Sequence, residues 1–392
     1  MYQAPLPPEY ANLSPQEVRT RIQAAKDALG DRLVILGHHY QRDEIIEHAD
    51  FRGDSYKLAK DAAARPQADF IVFCGVHFMA ESADILTPDH QKVILPNLAA
   101  GCSMADMANL FQVRNAWKAL TQEAGIAPED IVPVTYINSA ANLKAFVGEK
   151  GGTVCTSTNA PTAVRWALTT SSPLTSGGEG VGTEGQTLSD GLQPVPGRKV
   201  LFFPDQHLGR NTGVKLGFDR EEDMVVWDPF KPLGGNTIED LQRATFILWK
   251  GHCSVHQRFT VEQIEAARAE YPNVNVLVHP ECPLEVVEAA DLNGSTEYII
   301  NQIVASPAGS VWAVGTEINL VNRLAKENPD KTIFCLDPQI CPCSTMYRIH
   351  PSFLLWALEE LVKGNVVNQI EVPPKVKHFA LLALQRMLTV CA

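Results

Sequence analysis

The sequence predicts an α/β fold of three quasi-equivalent αβα units, with parallel sheets arranged around a pseudo-threefold axis. Short apolar runs alternate with helical segments, and these runs are apolar at consecutive positions, as in strands that are buried on both faces. A similar order of motifs occurs three times along the chain. The 392 residues are enough for two or three domains with sizeable cores.

Helices and strands are predicted in alternation from the N terminus. Ser14-Pro15-Gln16-Glu17 is a capping box with Pro at the first helical position, so a helix begins at Pro15 and ends near Leu29, before Gly30. Helical segments such as 262–271 and 295–305 separate the later strands. The predicted strands are 32–37, 69–75, 92–96, 130–136, 152–157, 199–204, 244–249, 273–279, 310–315 and 331–336. This alternation indicates parallel sheets in α/β layers.

Residues 169–197 interrupt the pattern. They are rich in Gly, Ser, Thr and Pro and contain no large apolar cluster. Such a segment cannot bury enough apolar surface to offset the entropy of ordering it, so we predict a mobile surface insertion.

The composition excludes several classes of protein. Lys and Arg number 33 against 45 Asp and Glu, which gives a net charge of −12. We therefore expect neither nucleic acid nor an anionic membrane as a partner, and anionic ligands would need local positive sites such as helix N-termini. Residues 1–15 carry no secretion signal and no run of 18 apolar residues occurs, so a cytoplasmic location is expected.

The nine cysteines point to reduced thiols or metal ligands. Their number is odd, and the chain is large and carries no export signal, so disulfides are not expected. They are Cys74, Cys102, Cys155, Cys253, Cys282, Cys335, Cys341, Cys343 and Cys391.

The threefold repeat places polar residues at equivalent positions. Strands ending in polar residues occupy 36–41, 134–139 and 277–282, and the matching cysteine segments are 95–106, 249–256 and 336–346. His38 and Cys102 are 64 residues apart, and so are His279 and Cys343. The middle repeat is longer because it contains the insertion. Ligands of parallel sheets bind beyond the carboxyl ends of the strands, so the polar residues and one cysteine per repeat are expected to converge.

Three widely separated thiolates are a poor structural zinc site, which usually takes four closely spaced ligands. They suit an iron–sulfur cubane in which one iron has no protein ligand and can act as a Lewis acid in the loss of water. The repeat position favours Cys102, Cys253 and Cys343, but Cys-Pro-Cys alone does not choose between Cys341 and Cys343. The other five cysteines read as buried small hydrophobes.

The polar residues have both functional and structural interpretations. His38, His256 and His279 are candidates for catalysis or substrate contact, although a single His is more often structural. Tyr136, Asn138 and Glu281 occupy the same strand-end layer and could move protons or simply face solvent. Four hydroxyl residues lie at helix starts, where they can cap the helix, bind an anion, or do both. They are Ser55, Ser157, Ser295 and Thr296.

The ordered set of motifs resembles the quinolinate synthase family, the A proteins of bacterial NAD biosynthesis. The similarity runs from about residue 30 to about residue 360. The motifs are GHHYQ, GDSYKLA, FMAESADIL, AGCSMADM, VTYINS, CTSTNA, PDQHLGRNTG, WKGHCSVH, VHPEC, NGSTEYI and CPCSTM. The insertion and the Cys-Pro-Cys sequence resemble the longer branch of that family.

The resemblance implies a central [4Fe–4S] cluster, one per chain, with Cys102, Cys253 and Cys343 as ligands and one open iron. It implies condensation of iminoaspartate with dihydroxyacetone phosphate to quinolinate, with release of phosphate and water. An aspartate oxidase or dehydrogenase is the implied source of iminoaspartate. The implied catalytic residues are Tyr136, Glu281, His38 and His279. The implied substrate-binding residues are His38, Tyr40, Ser55, Tyr136, Asn138, Ser157, His256, His279, Glu281, Ser295 and Thr296, with Thr156 and Thr158 as neighbouring alternatives to Ser157.

The expected domains follow the repeats: residues 1–112, residues 113–256 with the insertion, and residues 257–345. Helices in 346–392 are expected to pack back on the first domain. Three other functions stay open from the sequence: another [4Fe–4S] hydro-lyase acting on a small hydroxy acid, a non-catalytic cluster carrier, and a zinc-stabilised binding protein.

Overall fold

The computed structural model describes residues 2–169, 194–339 and 341–391. Nearly all of the predicted insertion, at 170–193, lies outside these residues. The strands within the described ranges are β1 Leu33–His38, β2 Phe51–Gly53, β3 Phe70–Cys74, β4 Lys92–Ile94, β5 Ile131–Tyr136, β6 Thr153–Cys155, β7 Lys199–Phe203, β8 Met224–Trp227, β9 Phe246–Trp249, β10 Asn275–Val278, β11 Leu292–Asn293, β12 Val311–Gly315, β13 Thr332–Cys335 and β14 Gln369–Ile370.

Helices separate most of these strands. They are α1 Pro15–Leu29, α2 Asp43–Ile46, α3 Ser55–Ala63, α4 His77–Leu86, α5 Ser103–Asp106, α6 Leu110–Lys118, α7 Ala141–Glu149, α8 Ala160–Thr169, α9 Gln206–Lys215, α10 Ile238–Arg243, α11 Val261–Glu270, α12 Leu284–Ala289, α13 Thr296–Ala305, α14 Ile318–Glu327, α15 Pro351–Val362 and α16 Pro374–Val390. The first helix has the predicted ends: Ser14 Oγ accepts the Glu17 N–H, and Gly30 ends the helix at a φ of +54°.

The α/β prediction is confirmed, and each of the ten predicted strands is present. The apolar runs form strands because they are buried along their length, and every residue of β1, β3, β5 and β7 is buried. Four short strands were not predicted: β2, β8, β11 and β14.

The three sheets share one topology. The adjacent strands are β2-β1-β3-β4 in the first sheet, β6-β5-β7-β9 in the second and β11-β10-β12-β13 in the third. The pairs registered in the first two orders are parallel, and so is β12–β13. The order of strands reverses between the first and third strands of each repeat. Ligands of such sheets bind at this point, beyond the carboxyl ends of those two strands.

Two further strands extend the sheets at an edge. β14 pairs antiparallel with β4, and β8 pairs parallel with β9. By its internal contacts the chain divides into two compact units. Unit 1 comprises 1–103, 262–277 and 296–373, and unit 2 comprises 104–261, 278–295 and 374–392. The division into three domains remains a prediction.

The two C-terminal helices pack in different places. In unit 1, α15 packs against α1. In unit 2, α16 packs mainly against α7 and β6 rather than on the first domain, where residues 346–392 were expected. A cause is visible at Gly148 of α7, where a Cβ atom would overlap the backbone carbonyl of Phe379. The missing side chain allows the two helices to approach closely.

The close approach of α7 and α16 predicts that Gly148→Ala destabilises unit 2. The added methyl group must displace helix backbone, so we expect the free energy of unfolding to fall by about 1–3 kcal/mol. Chemical denaturation measures this change. The control is Asn142→Ala, at an exposed position of the same helix. If both variants unfold like the unsubstituted protein, the contact between the helices is looser than described.

Candidate functional site

A buried carboxylate lies at the centre of the site in unit 2. Glu281 is 2% exposed and follows β10. Its Oε1 accepts the Tyr136 O–H at 2.6 Å, and its Oε2 lies 3.1 Å from His256 Nδ1. Burial acts to raise the pKa of Glu281, but the electrostatic interactions with His256 and His279 and the hydrogen bonds from His256 and Tyr136 outweigh it and lower the pKa to about 2. Glu281 is therefore ionised at neutral pH.

His279 completes this arrangement, which we name the Glu281 cluster: Tyr136, His256, His279 and Glu281. The rings of His256 and His279 stack with centroids 4.4 Å apart and planes 14° apart. Burial and then the electrostatic interaction with His256 lower the pKa of His279 to about 3, so this ring is neutral. Its Nδ1 accepts the Glu281 backbone N–H at 3.3 Å, which places its ring proton on Nε2.

The loop that carries Glu281 is anchored by a residue that the sequence reasoning did not single out. The Nδ2 amide of Asn211, in α9, donates to the carbonyls of Pro280 and Cys282, each at 2.9 Å. Asn211 is 8% exposed. Asn211 is the last residue of the PDQHLGRN motif, which could have marked it as a candidate. Nothing in the sequence shows that its side chain faces the loop of Glu281.

Cys253 lies beside the Glu281 cluster. Single ligand atoms of Cys253, His256 and Glu281 lie within 4.8 Å of one another, as in a metal-binding group. A thiolate, an imidazole and a carboxylate suit iron or zinc by donor type. This geometry is consistent with the predicted ligand role of Cys253.

The thiols differ in how well they suit a metal. Burial raises the pKa of Cys74 and of Cys335 to about 12, and it raises the pKa of Cys155 as well. A metal takes the thiolate form, so these three are poor ligands. The predicted ligands Cys102, Cys253 and Cys343 are partly exposed, and no disulfide involves any of the nine cysteines.

The local backbone distinguishes Cys343 from Cys341. The carbonyl of Cys343 accepts the Tyr347 N–H at 2.9 Å, and that of Cys253 accepts the Gln257 N–H at 2.9 Å. A short 3₁₀ turn begins three residues after each of these two cysteines. Cys343 is therefore the structural equivalent of Cys253.

The first two repeats share another backbone contact. The His77 N–H donates to the Ala100 carbonyl, and the Gln206 N–H donates to the Gly251 carbonyl, each at 2.9 Å. Both carbonyls lie two residues before a predicted ligand cysteine. The sequence also held a simpler signal that the motif reasoning missed: Cys102, Cys253 and Cys343 are each followed by Ser, and none of the other six cysteines is.

Unit 1 contains a second group of predicted residues. His38 Nδ1 accepts the Tyr40 N–H at 3.1 Å, which is the arrangement seen at His279 and Glu281. The rings of His38 and Tyr40 pack edge to face, with their centroids 4.8 Å apart. Tyr40 Oη lies 3.2 Å from Thr296 Oγ1 and 2.9 Å from Thr316 Oγ1. Thr316 was not predicted, and its position directly after β12 was the available signal.

A buried arginine holds the loop that carries Tyr40. Arg323 is 6% exposed and donates to the carbonyls of His39 and Gln41 and to the carboxylate of Asp43. The guanidinium fork suits several acceptors at once, so it fixes the backbone on both sides of Tyr40.

The hydroxyl residues at helix starts are distinguished by their neighbours. Asp54, rather than Ser55, caps α3, because its carboxylate accepts the N–H groups of Tyr56 and Lys57. Before α8, Thr156 and Asn159 exchange side-chain-to-backbone hydrogen bonds around Ser157. The capping is thus done by neighbours of Ser55 and Ser157.

The remaining predicted residues lie at strand and helix ends. Ser295 is buried and directly precedes α13, which begins at the buried Thr296. Asn138 is partly exposed beyond the end of β5.

The comparisons with known proteins agree with the motifs. The family model described as "Quinolinate synthetase A protein" matches residues 20–175 and 190–389. The chain belongs to the quinolinate synthase family. Relatives named quinolinate synthase include that of Corynebacterium glutamicum, 58% identical over 98% of this chain and 90% of the relative. Those of a Nocardioides species and of Streptomyces coelicolor are 58% and 54% identical, over 94% and 97% of this chain and 88% and 90% of their own lengths.

Membership of the quinolinate synthase family makes the chain an enzyme of NAD biosynthesis. It decides between this function and the three others that the sequence left open. No helix within the described ranges is long and apolar enough to cross a membrane.

The two hydrogen bonds of Asn211 predict that Asn211→Ala destabilises the protein. Removing both bonds leaves the carbonyls of Pro280 and Cys282 without these donors, so the free energy of unfolding should fall by about 2–4 kcal/mol. Chemical denaturation of the metal-free protein measures it. Lys215→Ala, at an exposed position of α9, is the control. An unchanged midpoint for Asn211→Ala would mean that Asn211 does not anchor the Glu281 loop.

Proposed function

We propose that this enzyme condenses iminoaspartate with dihydroxyacetone phosphate to form quinolinate, phosphate and water. The observation that carries the proposal is the Glu281 cluster beside Cys253. An ionised carboxylate that accepts a phenol O–H is a proton acceptor with a built-in donor, and the condensation requires protons to be both removed and delivered.

We assign proton transfer to Glu281 and Tyr136. Glu281 accepts the proton that leaves a substrate carbon during enolisation, and Tyr136 delivers a proton to a leaving oxygen. His279 and His38 each accept a backbone N–H at Nδ1 and can donate through Nε2–H, which suits carbonyl and carboxylate oxygens of the substrates. His256, hydrogen-bonded to Glu281, keeps that carboxylate oriented.

Anion binding is assigned to helix starts and hydroxyls, because both substrates are anionic and the chain has a net charge of −12. The backbone N–H groups of a helix N-terminus and adjacent hydroxyls bind carboxylate or phosphate without a net positive protein. Tyr40 and Asn138 supply further polar contacts at strand ends. The proposed hydroxyl residues are Ser55, Ser157, Ser295 and Thr296.

We propose Cys102, Cys253 and Cys343 as ligands of one [4Fe–4S] cluster with an open iron. The partial exposure of these three thiols and the loop geometry shared by Cys253 and Cys343 support this set. When bound, the cluster supplies a Lewis acid that polarises a substrate oxygen and assists the loss of water. The thiolate form required of its ligands fits a reducing compartment, so we place the reaction in the cytoplasm. An aspartate oxidase or dehydrogenase would supply iminoaspartate.

The proton-transfer assignment predicts that Glu281→Gln and Tyr136→Phe lower kcat for quinolinate formation by about 100-fold or more. Both variants keep the shape of the side chain and remove its proton chemistry. The assay is anaerobic quinolinate formation from the two substrates, with iron content measured on the same samples. Glu285→Gln, exposed on α12, is the control and should keep full activity. Full turnover by Glu281→Gln would remove Glu281 from this role.

The ligand assignment predicts that each of the substitutions Cys102→Ser, Cys253→Ser and Cys343→Ser abolishes binding of the cluster. We expect about four iron and four sulfide per chain in the unsubstituted protein after anaerobic purification. Cys343→Ser should lose this iron, whereas Cys341→Ser should keep it. The reverse result for this pair would identify Cys341 as the ligand.

A further inference from the structure

Two fully buried acidic side chains occupy equivalent places in the second and third repeats. Asp205 lies two residues after β7, and Glu317 lies two residues after β12. Each is the N-cap of the following helix, and each is 0% exposed. The first repeat has Val76 at this place, which offers no side-chain acceptor. Neither acid has a role in the function proposed above.

Glu317 connects a helix start to the loop of a predicted ligand. Its Oε2 accepts the N–H groups of Asn319 at 2.8 Å and Leu320 at 3.4 Å. Its Oε1 accepts the backbone N–H of Cys343 at 3.1 Å. One carboxylate in unit 1 therefore fixes the cysteine's own amide relative to a rigid helix.

Asp205 is the corresponding helix cap in unit 2, and its neighbour Gln206 contacts the cysteine loop. Asp205 Oδ1 accepts the N–H groups of His207 at 2.7 Å and Leu208 at 2.9 Å. Burial and then the charge of Glu281 raise the pKa of Asp205 well above its ordinary value, and the backbone N–H groups of Leu208, His207 and Cys253 act in the opposite direction. Gln206, the next residue along, adds the contact to the Gly251 carbonyl on the same loop.

Burial of a carboxylate needs a compensating reason, because it costs several kcal/mol unless hydrogen bonds replace the lost water. An exposed Ser, Thr or Asp would cap these helices as well. A buried acid can also hold the cysteine loop, which an exposed cap does not do. With the backbone N–H fixed, the direction of Sγ depends on little more than the χ1 rotamer, so less order must be gained when a metal binds.

We propose that Asp205 and Glu317 are positioning residues that hold Cys253 and Cys343 in the conformation that binds the cluster. This inference rests on the proposed cluster ligands. It assigns to the acids an effect on cluster retention rather than contact with substrate. Outer-shell partners of metal ligands commonly change metal affinity by about 10–100-fold when they are replaced.

The experiment compares Asp205→Asn and Glu317→Gln with two control variants, all purified anaerobically as full chains. Asp219→Asn is the first control, because Asp219 is an exposed carboxylate that also accepts two backbone N–H groups. Glu327→Gln is the second, at an exposed position on α14. The measurements are iron and sulfide per chain, the rate of iron release to a chelator, the electron paramagnetic resonance spectrum of the reduced cluster, and the melting temperature of the metal-free protein.

We expect Asp205→Asn and Glu317→Gln to release iron about tenfold faster or more, with an altered spectrum of the reduced cluster. The two controls should release iron like the unsubstituted protein. If the two acids only cap their helices, the melting temperature falls while iron release and spectrum stay unchanged, and the inference is overturned.

The outcomes also separate this inference from the proposed function. If the unsubstituted protein holds no iron, the proposed cluster is rejected. If the unsubstituted protein holds iron and both variants release it at the same rate, only the positioning role is rejected. If neither amide variant is soluble, Glu317→Asp replaces them, since it keeps a cap but shortens the reach to the Cys343 N–H. Faster iron release supports the inference, and an unchanged rate rejects it.

Discussion

The hydrogen-bonded burial of the Glu281 carboxylate is the constraint on which the site in unit 2 depends. Removing an ionised carboxylate from water is costly unless hydrogen bonds replace the lost water. Here one oxygen takes a phenol O–H and the other faces an imidazole, and the loop itself is held by Asn211. The loop after β10 provides the carboxylate, and the end of β5 and the segment after β9 provide its two partners. The ionised Glu281 side chain therefore connects the segments at the ends of three strands.

The common topology explains why chemistry-bearing residues recur at the same places. In each sheet the strand order reverses between the first and third strands of the repeat, which opens a crevice at their carboxyl ends. His38 is the last residue of β1 and His279 directly follows β10, and in both the Nδ1 atom accepts the backbone N–H of the residue two positions later. Asp205 and Glu317 follow the third strand. The repeats therefore share one αβα topology, and their side chains differ at two equivalent positions: the end of the first strand and the segment after the third strand.

Much of this could be predicted from the sequence, because long apolar runs and caps are local signals. The ten buried strands and the first helix follow from them. The edge strands β2, β11 and β14 could not, since they have two or three residues with exposed or half-buried positions among them, whereas the apolar run of β8 was overlooked. Contacts between residues far apart in the sequence could not be predicted from hydrophobic periodicity either. Periodicity does not show that Asn211 faces residue 280, that Tyr40 faces Thr316, or that α16 covers α7.

The placement of α16 bears on how the chain folds during its synthesis. Unit 2 draws on residues 104–261, 278–295 and 374–392, so α16 is synthesised after all the other segments of its unit. Until then α7 lacks the partner that covers it, although most of its side chains, including Phe146 and Val147, are buried in the finished protein. Bare apolar surface of this kind favours aggregation of nascent chains. Completion of this unit therefore waits for the synthesis of α16, and chaperones that shield α7 until then would raise the yield of native enzyme.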